Sequence, residues 1–230
     1  MNWGDRPREA VLVPVKAFAD AKVRLAPALP PEQRALLARE MGRRVLLAAQ
    51  PLPVAVVCDD PEVASWARSM GARVIWEPGR GLNRAVTAGV ARLAAEGVAR
   101  VIVAHADLLF AAGLAEIGRG HQDLAGSAKV ILVPDRHLDG TNVACVPTGV
   151  GFGFSYGSGS FQRHRKEALR LGLEVEVLDR PDLAWDIDQP HDLADIPQDL
   201  ASIADLSHGL AHDLADLADL AHGLAHGTPS

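Results

Sequence analysis

The stretch "ARVIWEPGRGLNRAVTAGVARLAAEGVARVIVAHAD" (residues 72–107) decides the fold. Two short apolar runs, 72–77 and 98–107, flank a helical segment, 81–97, that closes on Gly97. The same alternation continues on both sides. Upstream, 9–15 reads as a buried strand, with Pro14 near its end where a missing N–H is tolerated. Residues 30–50 then read as a helix opened by Pro31 and Glu32. Its apolar side is expected to carry Leu36, Leu37, Met41, Val45 and Leu46. Residues 53–59 form a second strand, and 60–71 a short helix closed by Gly71. Downstream come a short helix in "LFAAGLAEIGRG", a strand at 128–136, the runs "TNVACVPT" and "GVGFGFS", a helix from Ser160 to about Gly172, and a strand at 173–179. Apolar strands alternating with helices predict an α/β fold with a mostly parallel sheet covered on both faces.

Ligand sites in such sheets lie beyond the C-terminal ends of the strands. Asp107 ends the fourth strand there, either facing a ligand or capping the next helix. His105, two residues earlier, reads as a packed side chain. The loop after the first strand, "PVKAFADAKVRL" (14–25), carries Lys16, Lys22 and Arg24. It can clamp phosphate by charge and by arginine's paired N–H groups, or it can be a solvated basic loop. Neither GxGxxG nor GxxxxGK occurs in the chain, so the standard dinucleotide and P-loop cradles are excluded.

"DLAWDIDQPHDLADI" (182–196) sets Asp186 and Asp188 two apart, with Asp192 following. In extended chain, i and i+2 point the same way. Two carboxylates side by side repel unless a cation lies between them. A divalent metal would serve, and so would water at a strand end. "GVGFGFSYGSGS" (149–160) offers many accessible N–H groups before a helix at Ser160, whose N-terminus favours an anion, or else a tight turn with a serine cap. "DGTN" (139–142) is a further polar turn. Basic groups with carboxylates point to metal-assisted phosphoryl or nucleotidyl transfer, since Mg²⁺ uses few protein carboxylates together with substrate phosphates.

Composition narrows the classes. Lys plus Arg is 23 against 29 Asp plus Glu, a formal charge of -6, which argues against a broad nucleic-acid surface. Aromatics are 4%, so Ala, Val and Leu must build the core. No stretch approaches the roughly 18 apolar residues of a membrane span, and no signal-peptide core opens the chain; a cytoplasmic location is expected. Cys58 and Cys145 lack metal or redox spacing and read as buried strand residues. Residues 1–197 are expected to form one domain. The remainder, 198–230, is a low-complexity tail with a leucine stripe at helical spacing that docks on the body or on a partner, a homodimer being one option. His208/His212 and His222/His226 are i,i+4 pairs, spaced to hold a metal or to line a hydrated face.

Taken in order, "LVPVKAFADAKVRL", "EPGRGLNRAV", "ADL" (106–108), "DGTN", "GSGSFQRH" (157–164) and "DIDQPHDL" (186–193) resemble the guanylyltransferases of coenzyme F420 biosynthesis. These are the 2-phospho-L-lactate and, in actinobacteria, phosphoenolpyruvate guanylyltransferases. The resemblance covers roughly residues 10–196 and implies a single-domain, nucleotidyltransferase-like, three-layer α/β/α fold of the nucleotide-diphospho-sugar transferase type. It implies that Asp107, Asp186 and Asp188 carry Mg²⁺, that Lys16, Lys22 and Arg24 hold the GTP phosphates, and that Thr141, Gly157 and Ser160 bind the phosphorylated acid. It places "GLN", Gly81 to Asn83, near the guanine or ribose. The acid's phosphate oxygen would attack the α-phosphorus of GTP in line and expel pyrophosphate, with no protein base. Lys16, Lys22, Arg24, Asp107 and Asp188 would carry the catalysis by positioning and electrostatics. Alternatives are 3-phospho-D-glycerate or a molybdenum cofactor as acceptor, or a noncatalytic GTP-binding protein. Family members often read "PADLP" and "GPGS" where this chain has "HADLL" and "GSGS". Losing those prolines removes a restraint on φ in both loops.

Overall fold

The computed structural model describes residues 8–118 and 129–194. The tail and its histidine pairs lie outside the described residues. Seven strands, β1 (Glu9–Pro14), β2 (Val54–Cys58), β3 (Arg73–Trp76), β4 (Arg100–Ala104), β5 (Lys129–Pro134), β6 (Thr141–Pro147) and β7 (Glu174–Val177), form one sheet. Its order is β3-β2-β1-β4-β6-β5-β7. β1 pairs parallel with β2 and β4, β2 with β3, and β5 with β7. β6 runs antiparallel to both β4 and β5. The expected mostly parallel sheet is therefore present, with one reversed strand. That reversal puts the first residue of β6, Thr141, at the same sheet edge where β4 ends.

Alternate residues of each strand point to opposite faces, and both faces are covered. Val11, Val13, Val56, Ile102 and Ile131 pack beneath α1 (Pro31–Ala48) and α2 (Pro61–Ser69), against Val45, Leu46, Val63 and Trp66. Leu12, Val57, Val101, Val103 and Leu132 pack on the other face with Val86, Val90 and Leu93 of α3 (Gly81–Ala95) and Phe161 and Ala168 of α4 (Ser160–Arg170). Burying one such aliphatic side chain stabilises by about 1.5–3 kcal/mol. α3 lies close on β1 because residue 89 is glycine: a Cβ there would stand 2.8 Å from Leu12 Cδ2. Cys58 and Cys145 are buried strand residues, as expected.

Three expectations need correction. Leu36 is 65% exposed; the buried stripe of α1 runs through Arg34, Leu37, Met41 and Val45, which puts Leu36, one step or about 100° from Leu37, on the flank. β4 stops at Ala104, not Asp107. His105 N–H still reaches Asn142 O at 3.1 Å, but the chain then turns, so Asp107 stands beyond the ladder. The helix expected in 109–120 shrinks to a 3₁₀ turn at Leu114–Glu116, entered through Gly113 at φ +75°.

A third cluster underlies the sheet edge. Leu25 and Leu29 of the basic loop, Leu37 and Met41 of α1, Leu109, Phe110 and Ile187 pack together. Loop, helix and acid-bearing segment thus share one small core, which fixes their relative positions. Two short helices, α5 (Pro181–Ala184) and α6 (Pro190–Ala194), bracket that segment.

Candidate active site

The basic loop leaves β1 and curls back through two 3₁₀ turns, Phe18–Asp20 and Val23–Leu25. Between them Lys22 adopts a left-handed conformation, φ 54° and ψ 36°, rare outside glycine and found where surrounding structure enforces it. The enforcing contacts are visible. Lys22 Nζ donates to Asp107 Oδ2 at 2.8 Å and to Ile187 O at 2.5 Å, with its side chain only 5% exposed. Arg24 Nη1 donates to Asp188 Oδ2 at 2.6 Å on the more open side. Arg34 of α1 braces the loop through Ala21 O, 3.1 Å away. Lys16 is exposed and donates to Asp20 O at 3.3 Å.

The two acids at 186 and 188 follow the i, i+2 pattern, with Ile187 between them buried in the third cluster. Asp188 meets Arg24. Asp186 forms a bridge to Leu108, which sets it beside Asp107. Burial, then the charge of Asp107, pushes its pKa up to about 6. Asp107 itself is held below the usual carboxylate range: burial opposes ionisation, but Lys22 and His105 outweigh it. Its Oδ1 is buried and has no hydrogen-bond partner among the described residues. Among the same residues no three acid, His or Cys side chains already converge closely enough to hold a metal ion. The cations that meet the acids in this state are side chains: Lys22 on Asp107 and Arg24 on Asp188.

A cavity of about 630 Å³ opens at this edge. Lys16, Lys22, Arg24, Gly81, Asp107 and Asp188 line it, as do His105, Asp59 and Glu77. His105, which the sequence presents as a packed side chain, therefore also faces the cavity. Its ring lies 4.8 Å from that of Tyr156, and burial lowers its pKa. Asn83 does not line the cavity. Its side-chain oxygen accepts the Tyr156 N–H at 2.6 Å, tying the glycine-rich segment to α3.

Thr141, Gly157 and Ser160, none of which lines the cavity, gather in a second cluster. Thr141 and Ser160 are buried, and their hydroxyl oxygens stand 3.5 Å apart. His164, which the sequence does not single out, organises them. Its Nε2 accepts the Ser155 N–H at 2.9 Å, and burial brings its pKa down to about 4. The neutral ring must then carry its proton on Nδ1 and donate it to Thr141 Oγ1, 3.0 Å away. His164 thus leaves the Thr141 hydroxyl hydrogen unclaimed. Gly157 at φ +105° and Gly159 at φ +72° allow the turn into α4. Asp139 accepts the Gly159 N–H at 3.0 Å. Arg163 gathers the carbonyls of Ser155, Tyr156, Gly157 and Ser158.

Both loops expected to lack a proline restraint are held by hydrogen bonds. Arg163 pins the "GSGS" loop. Leu109 uses the N–H that a proline lacks to reach Trp185 O at 2.9 Å.

Residues 9–198 match the model for the family described as guanylyl transferase CofC like. The chain belongs to this family. The phosphoenolpyruvate guanylyltransferase of Rubrobacter xylanophilus is 38% identical over 186 residues, 80% of this chain and 90% of the relative. That of Conexibacter woesei is 37% identical over 198 residues, 83% and 88% of the two chains. The fold agrees with solved structures at low identity. A protein assigned as a nucleotide-diphospho-sugar transferase from Desulfovibrio desulfuricans G20 superposes with a TM-score of 0.72 at 16% identity, over 95% of this chain and 98% of that one. A nucleotidyl transferase from Methanothermobacter thermautotroptrophicus gives 0.58 at 17% identity, over 85% and 98%. Membership in the CofC-like family makes the chain a nucleotide-binding nucleotidyltransferase. No helix among the described residues is long and apolar enough to cross a membrane.

Proposed function

We propose that this CofC-like enzyme transfers the GMP moiety of GTP to phosphoenolpyruvate and releases pyrophosphate, with residues 1–197 as its catalytic domain. The observation that carries the reading is the meeting of two opposite charge sets at one cavity: Lys22 on Asp107 and Arg24 on Asp188. Relatives named for phosphoenolpyruvate favour that acid over 2-phospho-L-lactate; 3-phospho-D-glycerate is the further acceptor to exclude. Because its substrates are soluble metabolites, the reaction is assigned to the cytoplasm.

The basic loop receives the triphosphate. Lys16 is exposed and can reach a phosphate at once, whereas Lys22 and Arg24 trade their carboxylate partners for phosphate oxygens. Gly81, at φ +68°, lets the nucleoside approach the start of α3. The acid's carboxylate is received by Thr141, whose hydroxyl hydrogen His164 leaves unclaimed, together with Ser160 and the Gly157 backbone. An acceptor phosphate oxygen attacks the α-phosphorus of GTP. The bond from that phosphorus to the bridging oxygen breaks, and pyrophosphate departs along the basic loop. The attacking phosphate is already ionised, so no side chain need take a proton, and catalysis is positioning plus electrostatics.

Mg²⁺ fits the residues present. Asp107 has a buried, unpartnered oxygen, and Asp186 is crowded against it, its charge only partly offset by Lys22. Hard oxygen donors in this number suit Mg²⁺, which draws the rest of its ligands from phosphates and water. Asp107, Asp186 and Asp188 would hold it. When bound, it screens the repulsion between the two anions.

The test is pyrophosphate release with Mg²⁺ and GTP, offering phosphoenolpyruvate, 2-phospho-L-lactate and 3-phospho-D-glycerate separately, with ATP as control nucleotide. Release with GTP and phosphoenolpyruvate supports the reading. Release with a different acid corrects the acceptor, and no release with any acid, despite GTP binding, overturns it.

A further inference from the structure

Asp192, the acid that follows Asp186 and Asp188, takes no part in the chemistry above, yet it is the most buried of the three, its side chain 4% exposed. Both of its oxygens are used. Oδ2 accepts the backbone N–H of Asp188 at 2.7 Å and of Gln189 at 2.6 Å. Oδ1 pairs with the guanidinium of Arg136. Arg136 in turn reaches Asp186 O at 3.3 Å through its other terminal nitrogen and lies over the Trp185 ring, 4.4 Å from its centre. One half-buried ion pair therefore grips the backbone at 186, 188 and 189 and the side chain at 185.

We propose that Arg136 and Asp192 are positioning residues, a paired clamp that fixes the direction in which Asp186 and Asp188 present their carboxylates to the divalent cation. The inference rests on the metal reading given above. Neither residue lines the cavity, so they act through the acids they hold. The forked geometry is what the task requires. Arg136 must bind a carboxylate and a carbonyl at once, which a planar guanidinium does and a lysine ammonium on a flexible stem does not. Asp192 must accept two N–H groups on one oxygen and a cation on the other, which an amide cannot do without turning its NH₂ toward Arg136. Partners that orient metal-binding groups typically alter metal affinity by about 10–100-fold when removed.

The experiment measures Mn²⁺ binding to the full chain by electron paramagnetic resonance, with GTP present and no acid acceptor. Arg136→Lys and Asp192→Asn are each expected to weaken Mn²⁺ by about 10–100-fold. GTP binding in chelator should be unchanged, and the double variant should lose less than the product of the two single losses. Leu46→Ala, which disturbs buried packing of α1 beside the start of β2 and away from the cavity lining, serves as a destabilised control and should bind Mn²⁺ as the parent does. If Asp192→Asn does not fold, Arg136→Lys, which keeps the charge, decides alone. Parental Mn²⁺ affinity in the folded clamp variants, or an equal loss in Leu46→Ala, overturns the clamp and leaves the metal reading standing. A parent that takes up no Mn²⁺ with GTP overturns the metal reading itself, and the clamp with it.

Discussion

Asp186 keeps its proton to about pH 6, against 3.8 for an ordinary aspartate, because it is buried beside Asp107. The folded chain thus binds more protons than the unfolded chain between those values, so this group favours folding below pH 3.8 and that contribution is lost as pH rises through 6. Two units correspond to at most about 3 kcal/mol. Asp186→Asn should therefore flatten the fall in stability between pH 4 and 6; an unchanged melting profile across that window would count against the assignment. A protonated Asp186 cannot serve a metal, so the apparent Mg²⁺ affinity in turnover should drop as pH falls below 6. Asp188 is more open and paired with Arg24. Asp188→Asn should lower pyrophosphate release by at least about 100-fold with circular dichroism unchanged; near-parental release would remove it from the chemistry. At this scale the sequence is legible where a role follows from position. Asp107, Asp186 and Asp188 stand out as acids at an apolar run's end, and the basic loop as the segment after a first strand. His164 and Arg136 act through contacts with residues 9 to 56 positions away, and Asp192 adds to its distant partner two local ones, Asp188 and Gln189; no local spacing announces the distant partners. Asn83, expected near the nucleotide, also holds a loop 73 positions away, a contact equally silent in the sequence.

Among elements, α4 and the glycine-rich segment before it behave as one unit. Arg163, on the first turn of α4, draws four successive carbonyls of 155–158 toward itself. Arg163→Met should release that loop and raise the KM for the acid acceptor by about tenfold, as expected for losing hydrogen bonds to a charged group, while the KM for GTP holds. Equal changes in both constants would show that the loop serves the whole cavity. α3 is placed by a single small residue. Gly89→Val would push into Leu12, which is fully buried, and should destabilise by about 1–3 kcal/mol in chemical denaturation; a parental midpoint would mean that α3 can slide. Helices and strands are legible in kind because their apolar periods are clean. Their ends are not, since β4 stops where backbone pairing with β1 and β6 runs out. The helix sought in 109–120 is one turn because its apolar residues serve two different clusters, Leu109 and Phe110 in one and Leu114 and Ile117 in the other.

For the molecule as a whole, alternating strands and helices are enough to predict a layered α/β fold. The reversal of β6 is not visible, since an antiparallel strand and a parallel one carry the same apolar text when both faces are covered. That reversal matters for function. It brings Thr141, at a strand's beginning, to the sheet edge where β4 ends, the edge beyond which Asp107 stands.

The ion pairs of Lys22 and Arg24 carry one more consequence. The acids' charge is offset by side chains of the same chain, so stripping divalent ions should leave the fold nearly as it was. Addition of excess chelator is expected to move the melting temperature by no more than about 2 °C, since little binding energy is coupled to folding in that state; a fall of about 10 °C would show that the metal is structural. A cell short of free magnesium would then hold this enzyme in reserve, idle but intact, and its output would resume with the ion supply without new synthesis.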